Sequence, residues 1–538
     1  MMAKYGKPRE SNLIPARRFL RMCRSNLRRP KVADSSGAEL TGADVLMRTW
    51  VLRRLLSRHV LGRAEQYVGL LLPPSVGAVL ANAALSLDRR IAINLNYTSS
   101  ADVINSCIGQ SGIRHVLTSH RVMERLDLDI RGELVYLEDF KDKTTWMDKL
   151  AAAAAARLIP VTLLERWLGL TRVEPDDVLT VVFTSGTTGQ PKGVMLTHRN
   201  IESNVEALDE VFDIRTTDVL MAILPLFHSF GYTVTLWTIL TRGARAIYHH
   251  NPLDARQIGQ LCRRHGATIL AAAPTFLRSY LKRCDPEDFA TMEVLFVGAE
   301  KLPAELADAF EKKFGVRPLE GYGATELSPV VAGNVPASRG PGAVRQGSKP
   351  GTVGRPLPGI EAKVIDRETG EDLGCDRPGI LLIKGPNVMK GYLGQPELTA
   401  DVIRDGWYVT GDVAEIDTEG FVRITDRLSR FSKIGGEMVP HVRVEEAILS
   451  LLSQGEDKVQ VAVTSVPDLR KGERLIVLHT GMGKPPAEVC RQLAALGLPP
   501  LWLPSQDSFV QVDQLPVLGT GKLDLKRTKE LAMSRLAN

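Results

Sequence analysis

Cysteine is scarce in this sequence: 538 residues contain six, and no two of them form a CxxC pair. None has the neighbours of a nucleophile or a metal ligand. Scattered cysteines in a chain of this length are typical of reduced thiols. No secretory hydrophobic segment follows the arginine-rich N-terminal stretch. We therefore expect a cytoplasmic protein.

A long uninterrupted apolar run is also missing. The uncharged stretch from Tyr67 to Leu87 is long enough to cross a bilayer, but Pro73 and Pro74 break it. A buried strand, a turn and a buried helix explain it better. Lys149–Leu170 combines an alanine-rich helix with leucines, one tryptophan and flanking bases. It suits a helix packed on its own domain or one lying at the inner face of the cell membrane, so peripheral membrane contact stays open.

Basic runs with interleaved aromatics are absent, which argues against nucleic acid as a partner. The net charge of +6 is mild. It fits an anionic ligand such as ATP, an acidic carrier protein or an anionic membrane face, and an ordinary solvated surface as well. Charge alone therefore does not select a function.

The chain is too long for one hydrophobic core, and its pattern predicts an α/β protein. Short apolar strands alternate with helical stretches; the strands are predicted at Val178–Phe183, Val219–Leu224, Ala267–Ala271 and Val294–Val297, and the helices at Asn200–Phe212, Ala255–His265 and Ala304–Phe314. This alternation indicates parallel sheets. We predict a large N-terminal domain over 1–426, with a β-rich subdomain at about 350–426, and a small C-terminal α/β domain over 427–538.

The most informative segment is the glycine- and hydroxyl-rich stretch from Thr184 to Gly193, which follows a β-branched strand. Backbone N–H groups and hydroxyls of such a stretch can wrap a polyphosphate, and Lys192 adds positive charge. The glycine spacing is not that of a Walker A loop, which disfavours a P-loop ATPase. The candidate nucleotide-binding residues here are Thr184, Ser185, Gly186, Thr187, Thr188, Gly189 and Lys192.

This segment resembles the phosphate-loop signature of the adenylate-forming superfamily, which includes acyl-CoA synthetases and amino-acid adenylation domains. Further segments resemble that superfamily's motifs in the same order: Leu224–Gly231, Gly321–Glu326, Gly354–Pro356, Gly391-Tyr392, Trp407–Asp412, Asp426–Ser429 and Gly519–Lys522. The collinear set is far more specific than any one motif. The resemblance implies the superfamily's fold, with parallel-sheet subdomains, a β-rich subdomain and a mobile C-terminal domain.

The resemblance also implies roles for individual residues. Glu326 would hold Mg²⁺, Thr325 would contact the α-phosphate of ATP, and Lys522 would be the catalytic lysine. The segment Gly321, Tyr322 and Gly323 would bind adenine, Asp412 would accept the ribose hydroxyls, and Arg427 would contact ribose or phosphate. Ser429 would lie at the hinge, where relatives often carry a charged residue. Taken singly, each of these side chains could be a turn, cap or surface residue.

The implied acyl pocket comprises Phe227, His228, Gly231, Gly298 and Ala299. His228 either gates the channel between acid and thiol or is a core histidine. The segment Leu224–Gly231 has no acidic residue to hold an amino group, which argues against an amino-acid substrate. A degenerate relative that binds ATP without catalysis is the other alternative, and the combination of Lys522, Glu326 and Asp412 argues against it.

Within the superfamily, three further stretches resemble the acyl-ACP synthetase portion of bacterial enzymes that also carry a 2-acylglycerophosphoethanolamine acyltransferase. They are Asn94–Thr98, Val297–Leu302 and Arg430–Val439. Residues 1–66 are too short for the acyltransferase domain, so a separate acyltransferase would have to be a partner. The resemblance implies a long-chain fatty acid as substrate and the phosphopantetheine thiol of acyl-carrier protein as acceptor, with CoA as the close alternative.

Overall fold

The computed structural model describes residues 13–185, 191–339, 347–427, 430–434, 437–452, 459–468, 471–496, 498–517 and 523–536. Within these ranges, a few residues are described by their backbone alone: Ser185, Asp426, Arg427, Phe431, Lys433, Glu437, Met438 and Leu536.

Twenty-six strands are found in these ranges. In chain order they are β1 Pro30–Asp34, β2 Glu39–Thr41, β3 Tyr67–Leu70, β4 Ile91–Asn94, β5 His115–Thr118, β6 Glu133–Tyr136, β7 Val178–Ser185, β8 Pro191–Thr197, β9 Val219–Ala222, β10 Arg245–Tyr248, β11 Ile269–Ala272, β12 Val294–Val297, β13 Pro318–Gly323, β14 Val330–Gly333, β15 Arg355–Pro356, β16 Glu361–Ile365, β17 Gly379–Lys384, β18 Gly391–Tyr392, β19 Ile403–Arg404, β20 Trp407–Ile416, β21 Val422–Arg427, β22 Phe431–Ile434, β23 Glu437–Pro440, β24 Val461–Asp468, β25 Gly472–His479 and β26 Phe509–Gln511.

Seventeen α-helices lie in the same ranges. They are α1 Pro15–Ser25, α2 Gly42–His59, α3 Val76–Leu87, α4 Ala101–Ser111, α5 His120–Leu126, α6 Phe140–Lys143, α7 Trp146–Arg157, α8 Val161–Trp167, α9 His198–Phe212, α10 Thr238–Thr241, α11 Ala255–His265, α12 Pro274–Arg283, α13 Ala304–Phe314, α14 Pro396–Val402, α15 His441–Leu452, α16 Pro486–Ala495 and α17 Leu525–Leu536. Among them, none is both long and apolar enough to cross a membrane.

Two large sheets with parallel centres form the first part of the chain. One has seven strands in the order β18-β8-β7-β4-β3-β5-β6, and its strands from β7 to β6 run parallel. The other has nine strands in the order β15-β14-β13-β12-β11-β9-β10-β1-β2, and those from β13 to β1 run parallel. The predicted α/β class with parallel sheets is therefore confirmed.

Smaller sheets follow in the chain. Strands β16, β17, β20 and β19 form an antiparallel sheet, to which β21 adds at β20. This sheet is the predicted β-rich subdomain. After it come the hairpin of β22 and β23 and the three-stranded sheet of β24, β25 and β26.

Helix α9 contacts both large sheets. Its first turn is a capping box, in which the Thr197 side chain accepts from the N–H of Asn200 and the Asn200 amide accepts from the N–H of Thr197. One turn further on, the Asn204 amide donates to the Val330 carbonyl in β14 at 2.6 Å and accepts from its N–H at 3.3 Å. Asn200 donates to the carbonyls of Pro386 and Val388, both at 2.8 Å. The helix thereby fixes Val330, which follows the turn after β13, and the backbone just before β18.

A buried ion pair lies at the amino end of β9, a central strand of the nine-stranded sheet. The Arg339 guanidinium is fully buried and donates to both carboxylate oxygens of Asp218, at 2.7 and 2.8 Å. Burial alone would raise the pKa of Asp218, but hydrogen bonds from Arg339, Arg215 and Thr268 lower it below its usual value. A carboxyl whose pKa is lower in the folded state stabilises the fold above its ordinary pKa, and that stabilisation is lost as pH falls.

We predict that Arg339→Met lowers the free energy of unfolding by about 3–5 kcal/mol, because it leaves the Asp218 carboxylate buried without its partner. Arg317 is the matched control: it pairs with Asp308 and Glu311 at the surface. Arg317→Met should cost less than about 1 kcal/mol. Urea unfolding of both variants measures the difference, and equal losses would contradict this interpretation.

Candidate functional site

Three of the predicted site segments follow the carboxyl ends of parallel strands in the nine-stranded sheet. The segment 224–231 comes after β9, Gly298 and Ala299 come after β12, and the 3₁₀-helix Thr325–Leu327 comes after β13. Parallel strands end at a common edge, and ligands of α/β proteins bind at that edge. The structure therefore brings these predicted residues to one side of the sheet.

A hydrogen bond joins the mostly apolar segment 224–231 to the polar turn that carries Thr325. Ser229 lies between His228 and Phe230 in the chain. Its Oγ donates a hydrogen bond to Thr325 Oγ1 at 3.1 Å. Thr233 on the following π-helix donates to the Ser328 carbonyl at 2.8 Å. The segment 224–231 is thus held directly against the turn that carries Thr325 and Glu326.

Aromatic rings surround the apolar side of this contact. The Phe227 ring packs edge-on against Tyr97 with centroids 5.0 Å apart and also touches His228 at 4.5 Å. Phe230 packs edge-on against Phe296 with centroids 5.9 Å apart. These rings form an apolar wall beside the Ser229 hydroxyl.

One glycine of the predicted acyl pocket lies against this wall, and a second lies where only glycine fits. A Cβ on Gly298 would meet the Phe230 ring at 3.5 Å, so this position faces the same ring. At Gly231 a Cβ would come within 2.1 Å of the Pro225 carbonyl oxygen, so only glycine fits there. Ala299 has a positive φ of 71°, an uncommon conformation for a residue with a side chain.

Glu326 connects the two large sheets. Its Oε1 accepts a hydrogen bond at 2.9 Å from the hydroxyl of Tyr392, which lies in β18 of the seven-stranded sheet. Lys192 Nζ lies over the same ring, 5.6 Å from its centroid. The carboxylate, the phenol and the ammonium group therefore form one polar cluster between the sheets.

Two phenols near Glu326, those of Tyr392 and Tyr408, stay protonated. Burial raises the pKa of Tyr392, and the Glu326 carboxylate raises it further. Burial, Glu326 and Tyr392 likewise raise the pKa of Tyr408. Both phenols are therefore neutral in the physiological range of pH, and the Tyr392 hydroxyl donates to the Glu326 carboxylate.

Asp412 is a buried carboxylate on β20. Its Oδ2 accepts from the hydroxyl of Tyr322 at 2.5 Å, and its N–H donates to Thr410 Oγ1 at 3.0 Å. In the ladder of β20 and β21 it is the neighbour of Arg427. The predicted adenine segment and the predicted ribose carboxylate are therefore in direct contact.

Close packing explains the glycines around Tyr322. A Cβ on Gly321 would lie 2.0 Å from Phe296 Cζ, and one on Gly323 would lie 2.0 Å from the Pro329 carbonyl oxygen. The same Phe296 ring touches Phe230 in the apolar wall. The polar segment thus packs directly on the apolar one.

The structure describes only part of the predicted phosphate loop. Strand β7 continues to Ser185 and β8 begins at Pro191, with Thr184 opposite Lys192 in the ladder. Lys192 is therefore a residue of strand β8 and not of the loop. The rest of β8 pairs with β7 along its whole length. The remaining predicted residues lie outside the described part of the chain: Gly186, Thr187, Thr188, Gly189, Ser429 and Lys522.

The residues present fit a magnesium ion bound together with phosphates. The ranges that the structure describes contain no group of three or more His, Cys, Asp and Glu side chains that could hold a metal by themselves. Mg²⁺ in nucleotide enzymes typically uses one or two carboxylates plus phosphate oxygens and waters. Half-buried Glu326 offers one such carboxylate.

Sequence reasoning did not single out Ser229, Tyr97 or the hydroxyl of Tyr392. Ser229 lies inside a recognised motif, so its polarity within an apolar stretch was the available signal. Tyr392 belongs to a recognised weak signature, but its partner Glu326 is 66 residues away in the chain. No local pattern reveals such a pair.

Comparison with known proteins agrees with this geometry. The profile of the AMP-binding enzyme family matches residues 20–393. The long-chain-fatty-acid–CoA ligase of Bacillus subtilis (strain 168) is 34% identical over 373 residues, which cover 68% of this chain and 63% of that protein. The corresponding ligase of Yersinia pestis is 32% identical over 59% of this chain and 56% of that protein. These matches span less than two thirds of either relative.

A plant relative is matched over a longer region. The 4-coumarate–CoA ligase 1 of Oryza sativa subsp. japonica is 31% identical over 436 residues, which cover 78% of this chain and 76% of that protein.

Solved structures share the fold over almost the whole chain. ATP-bound MatB from Rhodopseudomonas palustris superposes with a TM-score of 0.77 at 26% identity, covering 96% of this chain and 98% of that one. The o-succinylbenzoate CoA synthetase of Bacillus subtilis, in complex with its acyl-adenylate intermediate, has a TM-score of 0.78 at 22% identity. It covers 95% of this chain and 97% of that one, and supports the fold alone.

We predict that Gly321→Ala lowers the free energy of unfolding by about 1–3 kcal/mol, because its Cβ collides with the Phe296 ring. Adding Phe296→Leu should recover part of this loss. Gly323→Ala is the matched control, since its obstacle is the Pro329 carbonyl, which Phe296→Leu leaves in place. Thermal unfolding of the single and double variants tests this, and additive losses at position 321 would contradict it.

Proposed function

The chain belongs to the AMP-binding enzyme family, and on that premise we propose that it is an ATP-dependent acid–thiol ligase that activates a long-chain fatty acid. In the proposed reaction the fatty acid displaces pyrophosphate from ATP to give an acyl-adenylate. The acyl group then passes to a phosphopantetheine thiol, with release of AMP.

The hydrogen bond between Ser229 and Thr325 carries this proposal. It joins a wall of aromatic rings to Thr325, the neighbour of Glu326, and Glu326 belongs to the polar cluster with Tyr392 and Lys192. A fatty acid has the same division, since an apolar chain ends in a carboxylate. Acid activation requires that carboxylate beside the α-phosphate of ATP, with the chain kept away from the charges.

The polar residues divide the nucleotide between them in this proposal. Asp412 accepts the ribose hydroxyls, a task for which a two-oxygen acceptor is suited. The segment of Gly321, Tyr322 and Gly323 lies against adenine. Thr325 donates to the α-phosphate, while Lys192 and the stretch from Thr184 to Gly189 hold the other phosphates. Arg427, the ladder neighbour of Asp412, contacts ribose or phosphate.

Glu326 is the proposed ligand for Mg²⁺. When bound, the ion supplies positive charge against the phosphate oxygens. Tyr392 donates to the same carboxylate and fixes its orientation. Lys192 lies over the Tyr392 ring and adds a second positive charge to the region.

The attacking carboxylate and the α-phosphate are both anionic, so charge neutralisation governs the first step. Lys522 is the proposed group that bridges the two. We propose that residues 427–538 form a mobile unit that turns about Ser429 between adenylation and thioester formation. In the described arrangement, Lys301 after β12 contacts Glu446 of α15 at 2.5 Å, so this unit already touches the edge that carries the site.

Two thiol acceptors fit the proposal. The names of the Bacillus subtilis and Yersinia pestis relatives support a long-chain fatty acid and CoA. The resemblance of stretches such as Arg430–Val439 to acyl-ACP synthetases supports acyl-carrier protein. Both acceptors present the same phosphopantetheine arm. We propose CoA as the first acceptor to test, and acyl-carrier protein as its alternative.

We predict fatty-acid-dependent thioester formation when the purified protein is given ATP, Mg²⁺ and a series of fatty acids of increasing length. Parallel reactions contain either CoA or holo-acyl-carrier protein, and mass spectrometry identifies the thioester. Amino acids in place of fatty acids serve as the control and should give no product. Product from amino acids alone would contradict the proposed substrate class.

We predict that Lys522→Ala slows adenylation by about 10²–10³-fold, the usual cost of losing an electrostatic contact to the reacting groups. Transfer to the thiol from a preformed acyl-adenylate should be largely retained. Lys526→Ala, an exposed lysine on α17, is the matched control and should affect neither step. Equal loss of both half-reactions in Lys522→Ala would contradict the assigned role.

A further inference from the structure

Helices α7 and α8 expose large apolar side chains to solvent. The structure describes eleven exposed large apolar residues, and six of them fall within residues 146–167. We call these six the interfacial patch: Trp146 (72% exposed), Met147 (62%), Leu150 (61%), Leu158 (78%), Leu163 (36%) and Trp167 (62%). Such a concentration of exposed tryptophan and leucine marks an interaction surface.

Both helices bury one carboxylate beside small or apolar residues, alanines on α7 and Leu164 on α8, and both expose a tryptophan. Helix α7 buries the carboxylate of Asp148 and exposes Trp146 and Leu150. Helix α8 buries the carboxylate of Glu165 and exposes Trp167. A helix that served only to cover the core would place these residues the other way round.

Ion pairs hold both helices in this orientation. The Asp148 carboxylate accepts from Arg54 and Arg58 of α2, at 3.2 and 3.0 Å. The Glu165 carboxylate accepts from Arg17 and Arg21 of α1, at 2.7 and 2.8 Å. The exposed apolar side chains point outward because the acidic side of each helix is bound to α1 or α2 beneath it.

The segment that carries the patch has more exposed bases than exposed acids. Six bases between residues 140 and 172 are exposed: Lys141, Lys143, Lys149, Arg157, Arg166 and Arg172. Asp142 is the only exposed acidic residue between 140 and 172, since the Asp148 and Glu165 carboxylates are buried and paired. Exposed acidic residues resume on either side of this stretch, at Glu138 and Asp139 and at Glu174, Asp176 and Asp177. Apolar residues with tryptophan, bordered by bases, are the composition of surfaces that lie in the headgroup region of anionic membranes.

We propose that the interfacial patch binds the surface of an anionic lipid bilayer. The tryptophans and leucines enter the boundary between headgroups and acyl chains, and the bases contact lipid phosphates. An acidic protein would match the bases alone, but it would leave two exposed tryptophans and three leucines without a partner. The purpose of this contact rests on the proposed function, because a long-chain fatty acid partitions into membranes and would be taken up there.

The test is co-sedimentation of the purified full-length protein with lipid vesicles. We expect binding to vesicles of phosphatidylcholine mixed with phosphatidylglycerol, and weaker binding to phosphatidylcholine alone or at high salt. Trp146→Ser combined with Trp167→Ser should lower the partition coefficient at least ten-fold. Lys143→Glu and Lys149→Glu should each lower it about five-fold or more, the loss expected for one basic contact.

Matched controls lie outside the patch. Leu496 is 52% exposed after α16, and Lys312 is exposed on α13. Leu496→Ser and Lys312→Glu should bind vesicles like the unaltered protein. Circular dichroism and adenylation of a short, water-soluble fatty acid show that each variant is folded and active.

Three results would overturn the proposal. One is vesicle binding by the double tryptophan variant equal to that of the unaltered protein. Another is no vesicle binding by the unaltered protein. The third is light scattering that shows a dimer which the tryptophan substitutions dissociate, because the patch would then join two copies of this chain. Patch-dependent vesicle binding by a protein that activates no fatty acid would leave the inference standing and refute the proposed function instead.

Discussion

Two buried asparagines on α9 hold the candidate site together. Asn204 pairs with the backbone of Val330, and Asn200 with the carbonyls of Pro386 and Val388. These contacts fix the chain just after Glu326 and just before Tyr392, and the hydrogen bond between these two residues joins the two large sheets. Buried amide groups need their partners, so this network is costly to break. The position of the polar cluster therefore depends on the inner face of one helix.

The edge of the nine-stranded sheet at the carboxyl ends of its parallel strands carries two chemically different surfaces, the apolar wall and the polar segment after β13. Phe296 contacts Phe230 in the apolar wall and excludes any side chain at Gly321 in the polar segment. A single ring thus sets the spacing between the two. This arrangement suits a ligand with an apolar body and an anionic end next to a nucleotide.

The sequence predicted those features whose causes are local. The strand Val294–Val297 and the helices Ala255–His265 and Ala304–Phe314 have the predicted bounds, because their apolar periodicity and their flanking turns are within the segment. The collinear motifs predicted the order of the site segments. The strand position of Lys192 was missed, because it follows from the pairing of β8 with β7 and not from the glycine-rich stretch before it.

Long-range contacts were beyond sequence reasoning. The outward direction of Trp146 follows from the bond between Asp148 and Arg54, which are 94 residues apart. Composition alone favoured a helix packed on its own domain for Lys149–Leu170 and left an interfacial role open. Burial of the carboxylates of α7 and α8 shows that these helices are packed on one side and apolar on the other.

The most direct test of the central claim is isotope exchange between labelled pyrophosphate and ATP. If the polar cluster binds ATP beside an acyl carboxylate, the purified protein with Mg²⁺ should return label into ATP only when a fatty acid is present. No exchange with any acid in a broad panel of carboxylic acids would contradict the account.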